Sequence, residues 1–165
     1  MHRMDAENLK GLRVDRADTA DRAALAALDP VAEGGDPARR DAIRRWCERG
    51  VVLMARDASG PVGYCVLEYT FFEQGFVTML MVAPRARRRG VGAHLLTAVE
   101  TACATAKLFT STNVSNHPMR QLLRRAHWHP SGVLHGLDDG DPELFFRCPG
   151  TRTVRDAGAT PFSAP

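Results

Sequence analysis

Val82-Ala83-Pro84-Arg85-Ala86-Arg87-Arg88-Arg89-Gly90-Val91-Gly92-Ala93-His94-Leu95-Leu96 is the stretch on which the reading of this chain turns. An apolar run stops at Pro84, a basic turn follows, and Val91, Leu95, Val99 and Cys103 then recur every four residues as the inner stripe of a helix. A turn that opens a helix presents N–H groups without intrahelical partners at the positive end of the helix dipole, which suits a phosphate. Gly90 and Gly92 carry no Cβ, so a ligand can approach the backbone there. The Walker A pattern needs GxxxxGK followed by Ser or Thr, and no such run exists. The dinucleotide pattern GxGxxG fails because Leu95 stands three places after Gly92. What remains is R-x-x-G-x-G at Arg87, Gly90 and Gly92.

Outward from this loop the chain alternates between the two periodicities. Upstream, residues 12–17 read as a strand, Asp18 or Thr19 caps an alanine-rich helix toward Leu28, and Asp29-Pro30 ends it. Asp36 and Pro37 open a second helix on which Ile43, Trp46 and Cys47 share a face. Residues 51–56, 62–72 and 76–82 are three strands joined by Ser59-Gly60-Pro61 and by Glu73-Gln74-Gly75, which predicts antiparallel neighbours. Downstream, residues 108–112 are a strand, Met119, Leu122, Leu123 and Ala126 mark a short helix, and 128–134 with 144–146 form a last hairpin. The order is βααβββαβαββ, an α/β chain with a mixed, largely antiparallel sheet flanked by helices.

The chain has 165 residues, which suits one core, and its 44% hydrophobic and 25% charged content excludes a disordered or fibrous class. Residues 1–10 read as a polar tail, 11–148 as the domain and 149–165 as a disordered tail. No apolar run approaches a membrane span, and Met1 to Lys10 is too polar for a signal peptide, so a cytoplasmic protein without a membrane partner is expected. Cys47, Cys65, Cys103 and Cys148 are dispersed without a CxxC pair, and His117, His127, His129 and His135 lack the spacing of a ligand set, so no metal site is expected. Of 22 basic residues only Lys10 and Lys107 are lysines. Arginines cluster at 85, 87, 88 and 89, where they would contact DNA phosphates as readily as others, but no recognition helix or aromatic platform accompanies them. No nucleic-acid partner is expected.

The R-x-x-G-x-G loop, entered from an apolar strand ending in V-x-P and followed by a helix with paired leucines, resembles the acyl-CoA pyrophosphate loop of the GNAT superfamily of N-acetyltransferases. The resemblance extends over nearly all of residues 12–146 and includes the element order. It implies a GNAT-like fold and transfer of an acetyl group from acetyl-CoA to a primary amine of a small molecule or protein; the alternative is a noncatalytic acyl-CoA-binding regulatory domain. A homodimer is compatible with either. The resemblance assigns the cosubstrate to Arg87, Arg88, Arg89, Gly90, Val91, Gly92, Ala93 and Asn116, with backbone N–H groups near Met81 or Val82 polarising the thioester carbonyl. Asn116 reads equally as a helix N-cap before Pro118, and one residue can fill both roles. The family's tyrosine acid, seven residues after the asparagine, falls on Leu123, which cannot donate a proton. Tyr64 and Tyr69 read as packing residues. Glu68 is the base candidate, on either a solvated face or the acceptor cleft, with Glu73 an exposed second. His127 stands where the family usually has glycine before an aromatic residue, here Trp128. The acidic run at Asp138, Asp139, Asp141 and Glu143 reads as a solvated turn or as the side of the cleft that gathers a cationic acceptor, in which case Asp138, Asp139 and Asp141 bind substrate.

Overall fold

The computed structural model describes residues 11–150, so the tail expected over 1–10 and most of that expected over 149–165 lie outside the described residues. β1 (Arg13–Arg16) leads to Asp18, whose carboxylate accepts from the N–H of Ala20 at 2.7 Å while Asp21 accepts from the N–H of Asp18, closing a capping box on a 3-10 turn that runs into α1 (Arg22–Leu28). Asp29 ends α1 as expected and also starts a short helix that the sequence reading lacks, α2 (Pro30–Glu33). Its carboxylate, fully buried, accepts from the N–H groups of Val31 and Ala32, from the Tyr64 hydroxyl at 2.6 Å and from Arg39 at 3.1 Å. A buried carboxylate is tolerated because all four partners converge on it. α3 (Pro37–Glu48) begins where Asp36 accepts from the N–H of Arg39 at 2.8 Å.

The remaining elements are β2 (Val52–Asp57), β3 (Gly60–Phe71), β4 (Gln74–Val82), α4 (Val91–Ala102), β5 (Leu108–Asn113), α5 (His117–Arg125), β6 (His129–Leu134) and β7 (Glu143–Arg147). They form one seven-stranded sheet in the order β1-β2-β3-β4-β5-β7-β6, antiparallel except between β4 and β5. Consecutive residues of β3 show how the helices are shared out. Tyr64 reaches Asp29 at the start of α2, and Cys65 faces the Leu95 carbonyl of α4, so α1 to α3 cover one face and α4 the other. The β3–β4 turn is Phe72 and Glu73, both in the left-handed region, rather than 73–75. Two left-handed residues match the twist of paired strands and leave Gln74 free to join β4. Among the described residues no helix is long and apolar enough to cross a membrane.

One irregularity shapes the rest. Val66 pairs with Met79 but Leu67 pairs with Val77, so β4 carries one residue more than β3 at Thr78. This β-bulge bends the strand out of line with its neighbour.

α5 closes with His127 in the left-handed region, where the N–H of Trp128 donates to the Leu123 carbonyl at 2.9 Å. Leu123 has no solvent exposure and anchors α5 to the core. Leu123→Ala is therefore expected to cost about 2–5 kcal/mol in a denaturant titration; a variant as stable as the parent would contradict the core assignment.

Candidate functional site

β4 and β5 pair at only three positions, the last being Val77 with Thr110, and part from there on although both strands continue. The Thr110 hydroxyl donates to the Val77 carbonyl at 2.9 Å, closing the vertex of this fork. On the β3 side the Thr78 hydroxyl donates to Glu68 at 2.7 Å, and Arg49, at the end of α3, donates to the other Glu68 oxygen at 2.6 Å. Glu68 is thus neither on a solvated face nor a free carboxylate: it is 8% exposed and both oxygens are engaged. Past the bulge, the N–H of Ala83 donates to Val62 on β3, so alternation turns the main-chain edges of Met81 and Ala83 toward β3 and those of Leu80 and Val82 toward the fork. Of the two N–H groups expected at a carbonyl, that of Val82 faces the gap and that of Met81 does not. Leu80, which the sequence reading lacks, joins Val82 there.

From β4 the chain enters a 3-10 turn (Pro84–Ala86), then Arg87 is extended while Arg88 (φ 61°) and Gly90 (φ 83°) are left-handed before α4 begins. Among the described residues, no protein acceptor meets the N–H groups of Arg88, Arg89, Gly90, Val91, Gly92 or Ala93. Successive unpaired N–H groups in alternating conformations form an anion-binding concavity, here continued by the N-terminus of a helix. The four arginines divide. Arg85 donates to the Pro61 carbonyl at 2.8 Å and Arg89 pairs with Asp57 at 3.1 Å, tethering the loop to the β2–β3 turn. Arg87 rests on the Val82 carbonyl at 3.4 Å, and Arg88 has no acceptor among the described residues. The guanidinium of Arg89, expected on a ligand, is thus occupied. A Cβ at Gly92 would lie 3.0 Å from Leu122 of α5, so the missing side chain also makes room for helix packing. Asn116 caps α5, accepting from the N–H of Met119 at 3.2 Å, and keeps its side-chain N–H₂ unspent among the described residues.

The acidic run lies at the C-terminal end of β5, at the open mouth of the fork. Asp138 accepts from the Asn113 amide at 2.8 Å, and Asp141 accepts from the N–H and hydroxyl of Ser115. These bonds, that to the Ser115 hydroxyl first, hold the Asp141 carboxyl below its ordinary range. Asp139 is exposed and has no partner among the described residues. Burial pushes the Cys65 thiol up to about 12 and Cys148 to about 11, which withholds both as nucleophiles. Tyr64 is fully buried with its hydroxyl on Asp29, and burial raises it well above an ordinary phenol. It serves as a strut in the core.

Residues 21–128 match the sequence model of a family described as the acetyltransferase (GNAT) family. No curated protein sequence matches the chain. Among solved structures, a GNAT-family acetyltransferase from Bacillus cereus is 28% identical, with 82% of this chain and 95% of that chain covered and a TM-score of 0.77. The same fold is shared by yncA from Salmonella typhimurium, solved with its cofactor acetyl-CoA (17% identity; 91% and 99% covered; TM-score 0.70). It is shared too by diaminobutyrate acetyltransferase EctA from Paenibacillus lautus, in complex with L-2,4-diaminobutyric acid and coenzyme A (19% identity; 89% and 98% covered; TM-score 0.66).

The tether of the basic loop carries a pH signature. The hydroxyl and N–H of Ser59, and then Arg89, hold the Asp57 carboxyl below its ordinary value of 3.8. A lowered carboxyl gives stability that is complete above its unfolded value and is lost as pH falls through the lowered one. Asp57→Asn is expected to melt below the parent at neutral pH, with the gap closing as pH falls from about 5 toward 3. A gap independent of pH would show that the charge of Asp57 is not what holds the loop.

Proposed function

This chain belongs to the acetyltransferase (GNAT) family, and we propose that its single domain, residues 11–148, transfers the acetyl group of acetyl-CoA to a primary amine of a small molecule or a protein, releasing the free thiol. The observation that carries this reading is that β4 and the loop it runs into leave two sets of main-chain N–H groups unpaired among the described residues, those of residues 88–93 in the loop and those of Leu80 and Val82 along the fork. The first set suits a diphosphate and the second a carbonyl. Acetyl-CoA supplies an acyl carbonyl already activated by its thioester. The loop N–H groups, with Arg87 and Arg88 beside them, hold its diphosphate; the Asn116 side-chain amide is within the same reading as a contact to the arm beyond it. The edges of Leu80 and Val82 orient the carbonyl in the gap.

The acceptor enters from the mouth. Asp139 gives that side negative charge, while Asp138 and Asp141 fix the β5–α5 connection that forms the rim, so a cationic amine is the fitting acceptor. Its proton leaves to water at the open end. Glu68 is assigned a positioning role: by accepting from Thr78 it holds the bulge that opens the fork, and taking up a proton would disturb its bonds to Arg49 and Thr78. An acid for the leaving thiol is dispensable, because a thiol with a pKa of about 8.5 departs as thiolate.

The second reading, an acyl-CoA-binding domain without turnover, draws on Leu123, which is core where the family's acid would stand. Release of CoA thiol, followed with acetyl-CoA and a panel of small amines and N-terminal peptides, separates the two. Amine-dependent release is expected; acetyl-CoA binding with no release for any amine would favour the second reading. With an accepted amine in hand, Glu68→Gln, which still accepts from Thr78, is expected to stay within about tenfold of the parent while Glu68→Leu falls much further. Loss of a general base would instead cost about 10²–10⁴-fold in both variants.

A further inference from the structure

α5 is two-faced. Met119, Leu122 and Leu123 turn inward, whereas His117, Arg120, Gln121 and Arg124 recur at helical spacing on the other side and, with Arg125, Arg87 and Arg88, line a cleft of about 1270 Å³. Among the described residues no carboxylate lines that cleft. Among the described residues the arginines that pair with carboxylates, Arg39, Arg44, Arg45, Arg49, Arg56 and Arg89, all lie elsewhere. Arg120 is steadied by donating to the Val114 carbonyl at 2.7 Å, and the guanidinium groups of Arg124 and Arg125 have no acceptor among the described residues. Gathering five arginines without a counter-charge raises their mutual repulsion, and an anion relieves it.

A diphosphate does not account for all five. The loop already offers it six N–H groups, the N-terminus of α4 and the side chains of Arg87 and Arg88. Coenzyme A differs from a simple diphosphate ester by a phosphomonoester on its ribose, which carries close to two negative charges at neutral pH. We propose that Arg124 and Arg125, with Arg120, form a phosphomonoester subsite on α5 for the 3′-phosphate of coenzyme A, so that the chain distinguishes acetyl-CoA from its 3′-dephospho form. The inference rests on the acetyl-CoA reading above and adds a requirement that reading does not contain. Arg124 and Arg125 also stand in the last turn of α5, where cations complement the helix dipole; that role acts on melting temperature and has no bearing on which form of the ligand is preferred.

The test is calorimetric titration of the full chain with acetyl-CoA and with acetyl-3′-dephospho-CoA at fixed salt, for the parent, Arg124→Gln, Arg125→Gln and the double variant, with melting temperatures taken alongside. The parent is expected to prefer acetyl-CoA by about tenfold or more, the scale of a charge-assisted contact. The double variant, which retains Arg120, is expected to lose most of the preference, binding acetyl-CoA close to the parent's affinity for the dephospho form, and each single variant to fall between. Equal affinity of the parent for the two forms would overturn the subsite while leaving acetyl-CoA binding intact, as would a double variant that keeps the preference or loses affinity for both forms alike. Failure of the parent to bind either form would overturn this inference together with the acetyl-CoA reading. A single-stranded oligonucleotide that displaces acetyl-CoA from the parent and not from the double variant would also overturn it, assigning the arginines to nucleic acid.

Discussion

The extra residue of β4 at Thr78 is the constraint on which the rest of this structure depends. A sheet that continued its pairing would present no polar edge to a ligand at its centre. By bulging, β4 swings away from β5 after a single short parallel contact and exposes the edges of Leu80 and Val82 inside the sheet. Main-chain groups left without a partner forfeit the hydrogen bonds that continued pairing would give them, so the gap needs support from its surroundings. Two threonine hydroxyls supply it at the vertex, Thr110 on the Val77 carbonyl and Thr78 on Glu68, and the second is braced from α3 by Arg49. The sheet therefore carries a stable defect, and the defect is where the chemistry is proposed to occur.

The basic loop is governed by a similar economy of partners. Its arginines look equivalent in sequence, yet two of them are consumed in fastening the loop to the β2–β3 turn, which leaves the N–H groups of residues 88–93 held in position without being satisfied. Gly90 is needed for its left-handed backbone, and Gly92 for the approach of Leu122. Rigid support from structural arginines and free charge from the others are complementary, because an anion site that could relax onto its own counter-charges would lose its affinity for a ligand.

Much of the architecture was legible because it is written locally. The caps at Asp18 and Asp36, the four-residue stripe of α4 and the strand runs are short-range patterns, and the strand-loop-helix at residues 82–96 carried the fold with it. What was not legible depends on residues far apart in the chain. Glu68 looked like a free carboxylate because its partner Arg49 lies 19 residues away on another element. The bulge has no glycine or proline to announce it, since Thr78 sits within an apolar run as any strand residue would. Asp29 read only as a helix end, because its second role as the buried hub of Arg39 and Tyr64 is tertiary. The arginines of α5 carry no signal in the sequence, since a basic helix face reads as solvated until the loop opposite it is placed.

The proposed acyl-CoA site is built from particular amides, so hydrogen exchange of the full chain with and without acetyl-CoA tests it most directly. Saturating acetyl-CoA is expected to slow exchange at the N–H groups of residues 88–93 and at Leu80 and Val82, and to leave Met81, already turned to β3, little changed. Protection confined to other parts of the chain, or none at the loop and the fork, would contradict the claim that the bulged strand and the basic turn together form the acyl-CoA site.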